Sequence, residues 1–293
     1  MFPTYALAAI PFKEIPPLEV FGLKFYPFGF LVGIAILFGS HIMTKRARAL
    51  GLDERVSAEI ALWAVIPGMI GAHLYSAIFY FPERVLEEPL YLLMIWDGIS
   101  SFGGFLGGAA GVIYYLKKNN IPVWPYGDTV AYGLTFAFVF GRLGCTLAYD
   151  HPGIATDFFL GMEFPRTLEV NGTVEAPTVR HNLGFYECAW IFCMSVVLYF
   201  TAQGTRFAGW VASVVILMYT PARFCFDFLR VVDATYLGLT PGQYAAIGLF
   251  LSGIWLYRKQ AAIGEMLVFD GQVHVFMDGR PAIPDAETPT AKG

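Results

Sequence analysis

Val130–Tyr149, VAYGLTFAFVFGRLGCTLAY, reads as a membrane span whose only charge is Arg142. A helix needs about 20 mainly apolar residues to cross the hydrocarbon, and an ionised side chain at that depth costs at least ~3 kcal/mol. Such a charge normally faces a protein interior or a wet cavity, so Arg142 points to a polar pocket inside a bundle. A second stretch repeats the pattern: Ala208–Phe228, AGWVASVVILMYTPARFCFDF, carries Arg223 four residues before Asp227. Two guanidiniums in such surroundings indicate a pocket for an anionic group within a membrane, with a phospholipid head group as the candidate ligand.

Composition agrees. Of 293 residues 56% are hydrophobic and 14% charged, which is an integral membrane composition rather than a soluble one. A net charge of −4 argues against nucleic acid as a partner. The opening MFPTYALAAIPF lacks a positive n-region, so no cleaved signal peptide is expected. Cys145, Cys188, Cys193 and Cys225 all fall in apolar runs without CxxC or Cys/His metal spacing, so neither a disulfide framework nor a metal site is expected.

About seven apolar segments are long enough to span, near 25–43, 57–80, 91–115, 128–148, 183–203, 207–229 and 241–257. Basic residues follow alternate segments: Lys45, Arg46, Arg48 and Arg55 after the first, Lys117 and Lys118 after the third, Arg206 after the fifth, Arg258 and Lys259 after the seventh. The intervening connections are richer in acid. The positive-inside rule then places the N-terminus outside and the C-terminus in the cytoplasm. The expected fold is an all-α polytopic bundle over 1–260, with a small extracytoplasmic head formed by 149–182. A cytoplasmic tail, 261–293, would carry a short hairpin turning at Asp270–Gly271 and a disordered end from Pro281. Met1–Lys24, with four prolines, reads as lying along the interface.

Several polar groups could carry chemistry. Tyr219, Arg223, Asp227 and Arg230 recur at helical spacing and share one face, either as a structural ion pair or as an anion-binding stripe. After Arg142 come Asp150, His151 and Gly153, with His151 either a general base or a solvated loop residue. His181, Tyr186 and Glu187 open the fifth span, and Glu187 requires a cationic partner that an arginine of another helix can supply. Tyr26 opens the first span, as an interfacial anchor or a catalytic group. The third span carries Gly103, Gly104, Gly107 and Gly108, which serve close helix packing or expose backbone N–H groups of a broken element to a ligand. His73, Asp97 and Asp128 read as supporting or structural.

These residues resemble the prolipoprotein diacylglyceryl transferase family over about 23–258. Leu23–Gly33, LKFYPFGFLVG, is similar to the family's first span, with Tyr26 in the tyrosine position. Gly141–Cys145, GRLGC, matches the start of its signature at Arg142, with Asp150 where many members have Glu and Gly153 at the signature glycine. HNLGFYE, 181–187, resembles HPxQxYE. YTPARFCFDFLR, 219–230, resembles YxxxRFxxExxR with Asp227 for Glu, and GLTPGQ, 238–243, resembles GLTMGQ. Two positions depart: Phe102 stands where the family's third span carries a histidine, and His73 where its second span carries an arginine.

The resemblance implies a bacterial inner-membrane enzyme that moves diacylglycerol from phosphatidylglycerol to the lipobox cysteine of a preprolipoprotein, without a cofactor. Arg142, Arg223, Tyr26, Asp150, His151 and His181 would be catalytic. Arg142 and Arg223, with Gly103, Gly104, Gly153, Glu187, Tyr219, Asp227 and Arg230, would bind substrate. The base would be His151, His181 or a carboxylate. Two alternatives are a silent phospholipid-binding paralogue, to which Phe102 points, and a small-anion transporter, which should show an internal repeat.

Overall fold

Apolar runs punctuated by proline and capping side chains set the helix boundaries. The computed structural model describes residues 10–13, 15–20, 23–95, 98–170, 173–231, 235–267, 275–277 and 280–281. Its helices are α1 (Pro27–Ala49), α2 (Glu54–Phe79), α3 (Pro82–Glu87), α4 (Ser101–Lys118), α5 (Val123–Ala148), α6 (Leu183–Thr201), α7 (Trp210–Asp227) and α8 (Pro241–Ile263). Pro27 and Pro241 occupy first turns, where the missing N–H costs nothing. Asp53 caps α2 by accepting from Arg55 N, and Thr240 and Gln243 form a reciprocal capping box on α8. Among the described residues, four helices, α1, α2, α5 and α6, are long and apolar enough to cross a membrane.

The third apolar segment is less helical than expected. A 3-10 turn covers Pro89–Leu93, and α4 begins only at Ser101, after Gly98 at φ +72° has reversed the chain. The glycines of α4 resolve their two readings in favour of packing. Gly103 and Gly107 lie against the backbone of Gly71 and Pro67 on α2, and a Cβ at either glycine would collide with a carbonyl oxygen there. Gly104 faces Ala72 and the Gly68 carbonyl. Gly103 and Gly107 thus let two helices touch backbone to backbone.

The chain is mostly helical but not all-α. The strands are β1 (Leu18–Val20), β2 (Leu23–Phe25), β3 (Pro152–Ala155), β4 (Met162–Phe164), β5 (Leu168–Val170), β6 (Thr173–Glu175), β7 (Thr178–Asn182), β8 (Arg206–Phe207), β9 (Met266–Leu267), β10 (Val275–Met277) and β11 (Arg280–Pro281). Between α5 and α6, β3, β7 and β4 form an antiparallel sheet in that order, and β5 pairs with β6. In β7, Thr178 and Val179 branch at Cβ, which suits a pleated surface. Arg180 is fully buried beneath this sheet, donating to Gly153 O at 3.1 Å and pairing with Glu175. Tyr149, left-handed at φ 46°, ends α5 and donates to the carbonyls of Met162 and Arg180, tying the sheet to the bundle.

At the opposite ends of the helices, β8 pairs with β9 in the sheet order β11-β10-β9-β8. The Asp270–Gly271 turn and residues 282–293 lie outside the described residues. Arg46 is buried here rather than solvated, donating to Ala202 O at 3.0 Å. Asp128 accepts from Gly209 N at 2.8 Å and Ala212 N at 2.9 Å, so it caps the first turn of α7.

Candidate active site

Arg142 on α5, Glu187 in the first turn of α6, and Arg223 with Asp227 on α7 meet at the end of the bundle beneath the β3-β7-β4 sheet. All four are buried, at 2%, 1%, 5% and 3% exposure. Asn182 caps α6 through Phe185 N and so fixes where Glu187 emerges. Arg142 Nη2 lies 2.9 Å from Glu187 Oε2, and Arg223 donates from Nη1 to Glu187 Oε1 at 2.7 Å. The two guanidiniums therefore converge on the two oxygens of one carboxylate. Tyr219 donates to Glu187 Oε2 at 3.4 Å, so it orients the carboxylate.

Asp227 extends the cluster. Arg223 Nη2 is 2.9 Å from Asp227 Oδ1 in an ion pair without hydrogen-bond alignment, and Arg230 Nη1 approaches the same oxygen at 3.7 Å. Thr240 donates to Asp227 Oδ2 at 2.7 Å, tying α8 to α7. Arg142 also donates to Ser101 Oγ at 2.9 Å, tying α5 to α4. Phe102 is buried, and its ring lies 5.8 Å from Arg223 Cζ. Arg142 and Arg223 pair with Glu187, Arg223 pairs also with Asp227, and Arg230 approaches Asp227. Buried arginines remain cationic and offer planar donor forks that suit a phosphate.

Beside this cluster, Asp150 Oδ1 and His151 Nδ1 are 2.5 Å apart on the loop after α5. With Nδ1–H engaged by the carboxylate, Nε2 is left to accept a proton. Cys145, one turn beyond Arg142, offers its sulfur within 4.8 Å of donor atoms of both residues. Their sequence spacing matches no common ligand motif; the left-handed Tyr149 that ends α5 brings the three together.

Other expected site residues fall elsewhere. His181 Nδ1 is hydrogen-bonded to the Tyr186 hydroxyl at 2.8 Å, and Tyr186 donates to Leu160 O at 3.3 Å. Burial lowers the His181 pKa. Both rings line a cavity of about 350 Å³ with Phe158, Leu160, Phe226 and Leu229, next to the ion cluster in sequence at Glu187, Asp227 and Arg230. Gly153 is wedged between His181 and the Leu229 carbonyl, and its neighbour Ile154 donates to that carbonyl at 2.8 Å. The β3 backbone here comes close to the turn that follows α7. Tyr26 is 60% exposed at the start of α1, and among the described residues no hydrogen bond or ion pair joins it to the cluster. Ser101 and Thr240, which hold the cluster to α4 and α8, were missed, since neither hydroxyl breaks the apolar pattern around it.

Comparison with known proteins gives the chain its relatives. It is 28% identical over 241 residues to phosphatidylglycerol–prolipoprotein diacylglyceryl transferase 2 of Clostridium perfringens, covering 82% of this chain and 93% of that protein. It is 29% identical over 269 residues to a phosphatidylglycerol–prolipoprotein diacylglyceryl transferase of Polynucleobacter asymbioticus, covering 88% and 97%. It is 28% identical over 260 residues to another, numbered 2, of Streptomyces coelicolor, covering 85% and 80%. With the family model for prolipoprotein diacylglyceryl transferase matching residues 17–258, the chain, an integral membrane protein, belongs to the prolipoprotein diacylglyceryl transferase family.

Proposed function

We propose that this chain transfers the diacylglyceryl group of phosphatidylglycerol to the thiol of a lipobox cysteine in a preprolipoprotein. One observation carries the proposal: guanidiniums from two separate helices, Arg142 and Arg223, meet on the buried carboxylate of Glu187. The phosphodiester of the lipid would exchange for part of that carboxylate pairing, entering past the less buried Arg230. The thiol gives its proton to a base, and the thiolate sulfur attacks the glycerol carbon that bears the phosphoester. The carbon–oxygen bond breaks, and glycerol phosphate leaves with the electron pair. Arg142 and Arg223 stabilise the charge that grows on the leaving phosphate. His151, oriented by Asp150, is the base within reach of the cluster. Glu187, Asp227 and Tyr219 hold the guanidiniums in place.

The same reading gives the molecule its orientation in the bacterial inner membrane. Seven helices, α1, α2 and α4 to α8, would span, with the β3-β7-β4 sheet and the arginine cluster on the outer side. Lys45, Lys117, Arg206, Arg258 and the tail would face the cytoplasm.

Transfer from phosphatidylglycerol vesicles to a lipobox peptide tests the chemistry. Arg142→Ala and Arg223→Ala should each lower turnover by about a hundredfold or more. Near-normal transfer by either variant refutes the assignment. Phe102 favours a second reading, because its ring fills the space beside Arg223 where an ionisable group would assist proton transfer. That reading predicts phosphatidylglycerol binding by the wild-type chain with no peptide modified.

A further inference from the structure

The end of α5 and the loop after it bring a sulfur, a carboxylate and an imidazole together. Cys145, Asp150 and His151 each offer one ligand atom, and the three atoms lie within 4.8 Å of one another. In a tetrahedral zinc site, bonds of about 2.0–2.3 Å set neighbouring ligand atoms roughly 3.3–3.8 Å apart. Side-chain shifts of about 1 Å would draw the sulfur in and part Asp150 from His151, now 2.5 Å apart. The set is mixed rather than acidic. Sulfur with imidazole favours an ion of the zinc class over magnesium or calcium. A thiolate and a carboxylate beside a neutral imidazole carry two negative charges, which a divalent ion cancels.

The chain around these side chains is held from several directions. Cys145 is buried, and a Cβ at Gly184 of α6 would lie 3.1 Å from its Cβ. Tyr149 turns left-handed at φ 46°, and Arg166 donates to the Ala148 and Tyr149 carbonyls at 3.0 and 2.9 Å. Leu183 N donates to His151 O at 3.3 Å, and Pro152 pairs with Asn182 in the sheet. The His151 and Asp150 side chains are 26% and 40% exposed, so a cation can reach them from solvent while the sulfur lies inside. Arg142, one turn before Cys145, is paired with Glu187 at 2.9 Å, which offsets its charge beside an incoming cation.

We propose that Cys145, Asp150 and His151 bind a zinc-class divalent cation whose fourth position takes the acceptor thiol. Metal binding is a property of these three residues alone; its use on the acceptor rests on the transferase reading above. A thiol that coordinates such an ion is deprotonated outright, so the acceptor S–H gives its proton to water as the sulfur takes the open position. The sulfur then attacks the glycerol carbon, the carbon–oxygen bond breaks, and glycerol phosphate leaves with the electron pair against Arg142 and Arg223. The thioether product is a weak ligand and departs. In the loaded chain His151 is a ligand, and the cation does the work of a base on a thiol whose free pKa is about 8.5.

The test uses the full chain in nanodiscs, stripped with a chelator and loaded with cobalt(II) or zinc alone. One ion per chain should bind, and cobalt should give a thiolate charge-transfer band that Cys145→Ser abolishes. A chain with Cys188, Cys193 and Cys225 changed to Ala should keep that band. His151→Gln and Asp150→Asn should each weaken zinc binding by about tenfold or more, read by competition with a chromophoric chelator. With no lipid present, a lipobox peptide should strengthen the cobalt band by adding a second thiolate, and the same peptide with serine for cysteine should not. No retained ion, or a band that survives Cys145→Ser, overturns the site. If Cys145→Ser fails to fold, unchanged zinc affinity in His151→Gln and Asp150→Asn overturns it instead. A band indifferent to the cysteine peptide overturns the use on the acceptor. Absence of transfer by the loaded wild type, with the spectra as expected, would sink the transferase reading and leave the metal site standing.

Discussion

At the residue scale, Glu187 decides whether the cluster can exist at all. Its two oxygens hold two arginines in a buried place, so removing its charge strands both cations. Glu187→Ala should destabilise the fold by about 3 kcal/mol or more, the usual result of breaking a buried pair from one side. Thermal unfolding in detergent reads this, and an unchanged midpoint would mean that solvent or lipid already satisfies the arginines. Arg142→Lys should keep the charge but lose the planar guanidinium whose Nη2 reaches both Glu187 and Ser101, lowering transfer by about tenfold or more while the fold survives. A lysine variant as active as the wild type would argue for simple charge attraction. His181 offers a test in pH. Burial lowers its pKa, so the unfolded chain binds the proton more readily than the folded one. Stability tied to His181 is therefore complete above the unfolded pKa, about 6.5, and is lost as pH falls below it. Exchange at Leu160 and Tyr186 should rise on acidification in the wild type and not in His181→Gln; equal rises in both would remove His181 from the account.

Helices and strands differ in how far their sequences announced them. Arg142, Arg223 and Glu187 were legible because an ionised group in an apolar run has few stable solutions, and each is the other's solution. The α4 glycines were only half legible, since small residues every fourth position look the same whether they admit a neighbouring helix or expose N–H groups to a ligand. Only the positions of Gly71 and Pro67 on α2 distinguish the two. Strands of three residues such as β4, β5 and β6 are too short for alternation to stand out from a loop, so the element between α5 and α6 was expected without its sheet. Tyr26 shows the converse limit: a motif position gives a residue type, but not a contact. Two predictions belong here. Gly107→Val should force α2 and α4 apart and lower thermal stability by about 2 kcal/mol or more, since the colliding atoms are backbone that cannot rotate away. Intact stability would show that the two helices can slide without cost. Asp128→Ala should remove both acceptors at the start of α7, at a cost of about 1–3 kcal/mol. Protection lost at Gly209–Ser213 would locate that cost, whereas loss spread evenly over the bundle would not support a capping role.

Across the whole molecule, the two polar ends of the bundle are chemically unlike. One end gathers Tyr149, Arg180, Gly153 and the ion cluster under a sheet. The other joins Arg46 to Ala202, Asp128 to α7, and β8 to the tail strand β9. These contacts fix which connections share a side, so a single experimental assignment orients all of them. If the arginine end is outermost, a lipid of the outer leaflet and a thiol exported across the membrane meet without either crossing it again. Cysteines placed on the two sides decide the matter. Thr178 lies exposed in β7, and Gln203 lies exposed in the connection from α6 to β8. Thr178→Cys should react with an impermeant maleimide in intact cells, above the background of the four native cysteines. Gln203→Cys should react only after the membrane is opened. The reverse pattern would put the guanidinium pair on the cytoplasmic face, where a secreted lipoprotein precursor has not yet emerged, and would remove the acceptor from the proposed reaction while leaving the anion site in place.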